Sequence, residues 1–378
     1  MTTVLVVGGG ATGTGVARDL ALRGVDVTLV DRGGVSGGTS GRSHGVLHSG
    51  ARYAESDPPG AEECIEENRI LRSVAGDCVR KTDGLFVGLS GDDPDYFEEK
   101  LAACEAVGIE AERLTPAAAR ERAPGLSADV EGTVRPHAPL EGLTVEDGRV
   151  TAATLGGTVD GTVGVDHVVN ATGAWAGEVA AMAGVDIEMA PARGVMVAVE
   201  YDALADGPVL NRCRTPDDGD IVVPHGDQVV LGTTSVPVDD PEAYERADWE
   251  VERSIEECAA MLPPVAEAPV ARSWWGVRPL YEPDEAGEDR RDISRGFFLL
   301  DHADGGVDNL LSVVGGKLTT YRRMAEAAAD RVCDRLDIDA DCRTADRKLP
   351  GADDAAELDA LVAEYDARSP TDEDVVAA

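Results

Sequence analysis

The chain has 378 residues, 43% of them hydrophobic, enough for two domains sharing an interface or for one large α/β unit. With 34 basic against 72 acidic residues its net charge is −38, which excludes nucleic acid backbones and anionic membrane surfaces as partners and is read as an adaptation to high salt. No apolar run approaches the roughly 18 residues of a membrane span, no basic leader precedes the opening "TTVLVV", and seven singly placed cysteines form no CxxC pair, so no metal or iron–sulfur motif is legible and a reducing cytoplasm is expected.

Val4 to Val7 is a continuous apolar run, as expected of a parallel strand buried on both faces. Gly8, Gly10 and Gly13 follow as G-x-G-x-x-G. The first glycine permits a tight turn, the second lets a pyrophosphate approach the backbone, and the third lets the following helix pack on the strand. Ala11 and Thr12 open that helix, whose N-terminus offers free N–H groups and a favourable dipole to a phosphate. A second strand, Val27 to Val30, ends at Asp31, where an acid suits the adenosine ribose hydroxyls.

The next stretch, "GRSHGVLHSGARY" from Gly41 to Tyr53, fits neither strand nor helix period. It holds two arginines, two histidines, two serines and a tyrosine on a glycine-rich backbone, and reads either as a solvated loop or as a binding segment. Further on, "DHVVNATGAW" ends a short strand in Ala171, Thr172 and Gly173, with Trp175 just beyond. That is a second close approach of backbone to a dinucleotide. With no second G-x-G-x-x-G unit, it favours FAD over NAD.

Apolar strands at Gly194–Glu200, Ile221–Pro224 and Val229–Gly232 point to a separate mixed sheet. "WWGVRPL" then supplies Arg278, which read alone is either an anion-binding arginine or a structural one stacked beside Trp274 and Trp275. A last strand, Leu310 to Val314, meets Gly315 and Gly316, and a helix is expected to begin near Lys317, with Leu318 and Thr319 in its first turn, its positive end facing an electron-rich ring. Lysine occurs only at 81, 100, 317 and 348. The final forty residues read as one or two helices of an acidic tail.

Two of these stretches carry a resemblance. "VGGGATGTGVARDLALRG" (Val7 to Gly24) and "GGKLTTYRRMA" (Gly315 to Ala325) resemble the signatures of the FAD-dependent glycerol-3-phosphate dehydrogenases, within the D-amino-acid-oxidase-like flavoprotein superfamily. "HGVLHSGARYA" and "CIEENRIL" make the chain similar to the catalytic A-type subunits of the anaerobic, three-subunit enzymes.

The resemblance implies an α/β fold: a glutathione-reductase-like FAD-binding Rossmann domain from residues 1–80, 135–190 and 295–335, a mixed-sheet substrate cap from 81–134 and 191–294, and a helical tail from 336–378. Thr39, Ser40, Gly41, Arg42 and Gly45 would lie along the FAD pyrophosphate and ring, with Arg32 and Leu140 as further cofactor contacts. "RPHAPLEGL" would supply the adenine-side strand. Arg52 and Tyr53 would enter the substrate site, and Arg52, Arg278 and Lys317 would grip the phosphate of glycerol 3-phosphate. His48 is the candidate base for the carbon-2 hydroxyl. In the aerobic branch a histidine lies on the strand that here reads "ARGVMVAVE", where Met196 stands instead. Partner subunits with iron–sulfur centres, quinone, and a cytoplasmic place or the inner membrane face through those partners are likewise implied.

The chain departs from the family pattern twice. About thirty residues, including a crossover helix, are expected between Pro136 and His137, and the family's cysteine-bearing C-terminal domain has no counterpart in "AELDALVAEYDARSPTDEDVVAA". Rival readings are another oxidase of the superfamily acting on an amino or hydroxy acid, and an inactive FAD-holding fragment.

Overall fold

The computed structural model describes residues 3–80, 82, 84–88, 93–109, 111, 140–155, 161–205, 207–281 and 296–366. In chain order the elements are β1 (Thr3–Val7), α1 (Ala11–Leu22), β2 (Asp26–Val30), α2 (Pro58–Val74), β3 (Gly84–Val87), α3 (Pro94–Ala106), β4 (Leu140–Glu146), β5 (Arg149–Leu155), β6 (Gly161–Gly164), β7 (His167–Asn170) and α4 (Ala176–Ala181). There follow β8 (Ala192–Glu200), β9 (Val209–Arg212), β10 (Ile221–His225), β11 (Gln228–Gly232), β12 (Val236–Pro237), α5 (Asp248–Met261), β13 (Val270–Arg278), β14 (Phe297–Asp301), β15 (Leu310–Gly315), α6 (Tyr321–Arg335) and α7 (Ala355–Asp366).

The apolar run of β1 lies at the heart of a five-stranded sheet ordered β14-β15-β7-β1-β2. β1 pairs in parallel with β2 and β7, and β15 in parallel with β7, while β14 closes one edge antiparallel. Both faces of β1 are covered, which is why its sequence does not alternate. Val4 and Val6 pack with Leu20 of α1 and Ala328 and Val332 of α6. Leu5 and Val7 pack on the opposite face with Val150, Ala153 and Leu155 of β5 and Val179 of α4. Gly13 is what lets α1 lie so close: a Cβ there would stand 1.9 Å from the Gly8 carbonyl oxygen. Within α1 the signature residues Asp19 and Arg23 form a buried pair, their contact 2.9 Å long, and Arg23 reaches on to Asp330 of α6.

The second sheet runs β12-β8-β11-β10-β9-β3, with β13 also paired to β8. It is mixed because β3 joins β9 in parallel while its other pairs are antiparallel. α5 covers one face, where Ile255 and Cys258 meet Val195, Val197, Val222 and Leu231. The other face presents Met196, Ile221, Val223, Val230 and Trp274, and Val46 packs on it.

Two expectations are corrected here. Leu140 opens a strand, but that strand does not extend the five-stranded sheet. β4 folds back antiparallel on β5 through the Asp147–Gly148 turn, where both residues have positive φ, and with β6 forms a separate three-stranded sheet. Leu140 pairs through its backbone with Leu155. The last helix of the core begins at Tyr321 rather than near Lys317, because Gly315 and Gly316 both take positive φ and Lys317 to Thr320 form a turn. Of the final forty residues, expected as one or two helices, the described part holds α7 after a run of turns tied at Leu349 N to Val74 O and Asp77 N to Ala352 O. The junction at Pro136–His137 lies outside the described residues. Among the described residues no helix is long and apolar enough to cross a membrane, and no His, Cys, Asp and Glu cluster could hold a metal ion.

Candidate active site and cofactor cleft

The irregular segment from Thr39 to Tyr53 is neither helix nor strand because its polar groups are spent on other elements. Toward the second sheet, the Thr39 hydroxyl donates to the Val277 carbonyl (2.6 Å), and the Trp274 indole N–H donates to the Arg42 carbonyl (3.3 Å). Arg42 donates to the carbonyls of Gly37 (3.1 Å) and Trp275 (3.4 Å). Gly276 permits this approach, since a Cβ there would lie 3.0 Å from Arg42 Cβ. Toward the first sheet, Ser40 Oγ accepts from Ala11 N (3.0 Å) and His48 N donates to Thr319 Oγ1 (2.9 Å). Asn68 of α2 donates to the Leu47 carbonyl at 2.7 Å. The segment is therefore strapped between the two sheets.

The glycine turn and the ends of β2, β7 and β15 fit a dinucleotide. Gly10 has an ordinary extended backbone, and a Cβ built on it would meet only Ser40 Oγ within 4 Å, leaving open space in front of the first turn of α1. Gly8 (φ +107°) abuts Ala171, where a Cβ would come 2.5 Å from the Ala171 carbonyl oxygen. Asp31 ties the turn together: its carboxylate accepts from Gly9 N (2.6 Å) and Gly33 N (2.7 Å). Asn170 holds the Ala171–Gly173 bend by accepting from the Thr172 hydroxyl (2.6 Å) and donating to Ala176 O. Arg32 lies over the Trp175 ring at 4.3 Å and pairs with Glu242. The Trp175 indole N–H is buried with no partner among the described residues, a donor available to a bound group. Gly41 turns back on Ser36 by donating its N–H at 2.9 Å, and Gly45 takes φ +72° with nothing within 4 Å of a Cβ. Gly315 ends β15, and Gly316, Leu318 and Thr319 form the turn beyond it.

Beyond this cradle lie the residues expected at the substrate site, His48, Arg52, Tyr53, Arg278 and Lys317, together with His44. His44, His48 and Tyr53 form a chain of edge-on rings, with centroids 5.4 and 5.7 Å apart. Burial first, then the Arg52 and Arg278 guanidiniums, hold the His44 imidazole well below its usual range, so it is neutral. His44 Nδ1 accepts from Val46 N (3.2 Å), which leaves the proton on Nε2 and makes His44 a donor. Arg52 donates to Asn211 Oδ1 (3.2 Å) and lies 4.0 Å from Asp220. Arg278 donates to Thr233 Oγ1 (3.0 Å) and to the carbonyls of Thr234 (2.8 Å) and Arg193 (3.4 Å).

Lys317 stands at the other end of the chain of rings. Its ammonium sits 4.8 Å from the Tyr53 ring centroid and pairs with Asp57 at 3.4 Å, and its side chain is 4% exposed. Its expected role on a phosphate therefore has a competitor within the protein. Met196, at the position of the aerobic branch's histidine, is buried among Trp274, Ile221 and Val230 and offers no proton acceptor.

Sequence reading missed His44 as a site residue. A histidine four positions before His48 on the same irregular segment was the available signal. It also missed the supports. Lys100 of α3 donates to the Ala51 and Arg52 carbonyls (3.3 and 3.4 Å) and pairs with Glu55, which accepts from the Tyr96 hydroxyl at 2.5 Å. Glu67, within the quoted "CIEENRIL", and Arg322, within "TTYRRMA", form a buried two-pronged bridge of 2.6 and 2.9 Å that joins α2 to α6.

A family model, FAD dependent oxidoreductase (DAO), matches residues 3–331. The chain is 47% identical over 409 residues to the A1 subunit of the anaerobic glycerol-3-phosphate dehydrogenase of Haloferax volcanii, covering 97% of this chain and 70% of the relative. Since 409 matched residues exceed this chain's 378, the relative holds residues within the matched span that have no counterpart here. Among solved structures, glycine oxidase from Geobacillus kaustophilus superposes with a TM-score of 0.68 at 18% identity, over 89% of this chain and 95% of that one. A dithionite-reduced L-α-glycerophosphate oxidase from Mycoplasma pneumoniae with FAD bound gives 0.66 at 18% identity, over 93% and 100%. These likenesses give the fold: an FAD-binding Rossmann unit with a mixed-sheet cap. The chain belongs to the FAD-dependent oxidoreductases of the DAO family, and within them to the group of anaerobic glycerol-3-phosphate dehydrogenase A-type subunits.

Proposed function

We propose that the protein oxidises sn-glycerol 3-phosphate to dihydroxyacetone phosphate, with FAD held between the glycine turn of residues 8–13, the bend at Ala171–Gly173 and the turn at Gly315–Thr319. The observation that carries the reading is that two guanidiniums from distant parts of the chain are anchored at one end of the β10–β11 pair, Arg52 on Asn211 and Asp220 and Arg278 on Thr233, where Ile221 pairs with Gly232 and Gly219 N donates to the Thr233 carbonyl (3.4 Å). A phosphate dianion matches two guanidinium forks, and Lys317 adds a point charge from the side of Tyr53. Bound FAD supplies the acceptor for the hydride leaving carbon 2. His48 takes the hydroxyl proton, and His44, fixed as an Nε2–H donor, steadies a substrate oxygen. Residues 1–80, 135–190 and 295–335 form the cofactor unit, 81–134 and 191–294 the cap, and 336–378 the tail. By likeness to a protein named as one subunit of an anaerobic dehydrogenase, electrons pass to partner subunits, and the family resemblance extends their path to quinone at the inner membrane face. The −38 charge suits work in high salt.

A flavin spectrum of the purified holoprotein in high salt, recorded before and after anaerobic addition of glycerol 3-phosphate, tests this. Bleaching by glycerol 3-phosphate but not by glycine, sarcosine or malate supports it. Bleaching by an amino or hydroxy acid instead assigns the chain to another oxidase of the superfamily, and bound flavin that none of them bleaches marks an inactive FAD-holding chain. Arg278→Ala should raise KM for glycerol 3-phosphate about ten- to a hundredfold with flavin retained, the loss of a charge-assisted bond worth roughly 1.5–3 kcal/mol. Normal kinetics in that variant would remove Arg278 from the substrate site.

A further inference from the structure

Glu250 carries no expected role, yet it is fully buried and accepts three hydrogen bonds. Its Oε2 accepts from Arg193 Nε (3.0 Å) and from the Trp275 indole N–H (3.2 Å), and its Oε1 accepts from the Thr234 hydroxyl (2.7 Å). The Thr234 oxygen in turn accepts from Val195 N at 3.1 Å. A carboxylate this deep persists only when its partners are fixed around it. Those partners flank Arg278. The carbonyls of Arg193 and Thr234, the two residues whose side chains Glu250 holds, accept from the Arg278 guanidinium, and Thr233 completes the cradle. Trp275 lies three residues before Arg278 on β13, which pairs with β8 in the register Trp275 to Val195 and Arg278 to Ala192.

We propose that Glu250 is a positioning residue for Arg278. Through Arg193, Thr234 and Trp275 it fixes the carbonyls that aim the guanidinium, and so sets affinity for the anionic end of the substrate without touching it. Resting on the proposed phosphate role of Arg278, this adds a residue on α5, on the far face of the sheet from Val46, to the determinants of substrate affinity.

The test uses the FAD-loaded protein and glycerol 3-phosphate. Glu250→Gln keeps the shape and can offer its amide oxygen to Arg193 and Trp275 and its NH2 to Thr234, but it leaves the buried Arg193 guanidinium without a counter-charge, which can prevent folding. Thr234→Val, with Thr234→Ser as the conservative control, leaves the Glu250–Arg193 pair intact. Thr234→Val is expected to raise KM about tenfold more than it lowers kcat, with flavin content retained, and Thr234→Ser to restore KM. In an Arg278→Ala background, Thr234→Val should change KM by less than about twofold, because its effect passes through the lost guanidinium. Full additivity in that background, equal effects on KM and kcat, or loss of flavin from Thr234→Val would each overturn the proposal. If Arg278→Ala itself leaves KM unchanged, it is the phosphate reading that fails, a separate outcome.

Discussion

Gly10 and Gly13 stand three residues apart in the same turn, and a side chain should act on them in opposite ways. At Gly13 a Cβ would be 1.9 Å from the Gly8 carbonyl oxygen, far inside contact, and Gly8 cannot retreat because its N–H donates to Val30 O at 2.8 Å. Gly13→Ala must therefore push α1 off β1, next to Val16 and Leu20, which are fully buried. Overpacking of this kind costs about 3 kcal/mol or more, a large part of a net stability of about 5–15 kcal/mol. At Gly10 the backbone is extended (φ −73°), which valine adopts without strain, and the nearest neighbour of the new Cβ is Ser40 Oγ at 3.2 Å. Gly10→Val should keep helical circular dichroism and melting temperature while abolishing flavin retention, because its branches fill the space before the helix N-terminus. The measurements are the ratio of flavin to protein absorbance after gel filtration, and thermal melts in high salt. Stoichiometric flavin in Gly10→Val would refute the placement of the pyrophosphate at this turn, and an undisturbed Gly13→Ala would refute the close packing of α1 on β1.

Three further outcomes follow from the charged groups. Glu67→Ala leaves the Arg322 guanidinium buried with Glu326 as its remaining counter-charge and should cost up to about 3 kcal/mol in chemical denaturation, and adding Arg322→Met should recover much of it. His44, His167 and His302 are all held below the usual histidine range, chiefly by burial, so the unfolded chain takes up protons that the folded one does not. Stability is then full above about pH 6.5 and falls below it by up to about 1.4 kcal/mol per pH unit per histidine, with raised carboxylates such as Glu63 and Asp220 opposing this at lower pH. A melting temperature that stays flat from pH 7 to 5 at constant salt would refute it. Raising salt from 0.1 to 3 M shortens the Debye length from about 10 Å to under 3 Å, and with a net charge of −38 the melting temperature should climb. Its fall with added salt would refute the high-salt reading.

The cofactor half of the fold was legible because its signals are local. A doubly buried strand, three glycines at fixed spacing and an acid at the end of the next strand each act within a few residues. "GRSHGVLHSGARY" was legible as irregular, but not as to what holds it. The groups that do so, Trp274, Thr319 and Asn68, lie far along the chain, 232 residues from Arg42 in the case of Trp274. Lys317 was singled out for its rarity, yet its pairing with Asp57 spans 260 residues and has no sequence signal. The strand after Leu140 was misplaced because an Asp-Gly turn, a strong local hairpin signal, was outweighed by the family pattern. Glu250 was invisible for another reason: a charged residue near a helix start reads as solvated surface until the helix is packed on its sheet.

The straps on residues 39–53 explain why binding groups can sit on irregular backbone at all. Ordering such a segment costs about 1–2 kcal/mol per residue, and each hydrogen bond returns only about 1 kcal/mol. The straps to β13, α1, α2, α3 and the turn before α6 cannot offset that cost alone. Apolar contact must supply the rest, and Val46 on the Met196–Trp274 face and Ala51 and Ala54 in their own cluster are where it does so. Because Thr39 to Arg42 are held by β13 and Ser40 caps α1, the two sheets share one strap. A shift of one sheet against the other would therefore disturb the glycine turn at residues 8–13 and the anchoring of Arg52 and Arg278 together, the two places proposed for pyrophosphate and substrate. On the proposed roles of these residues, cofactor retention and substrate affinity would then be coupled through the shared strap of residues 39–53.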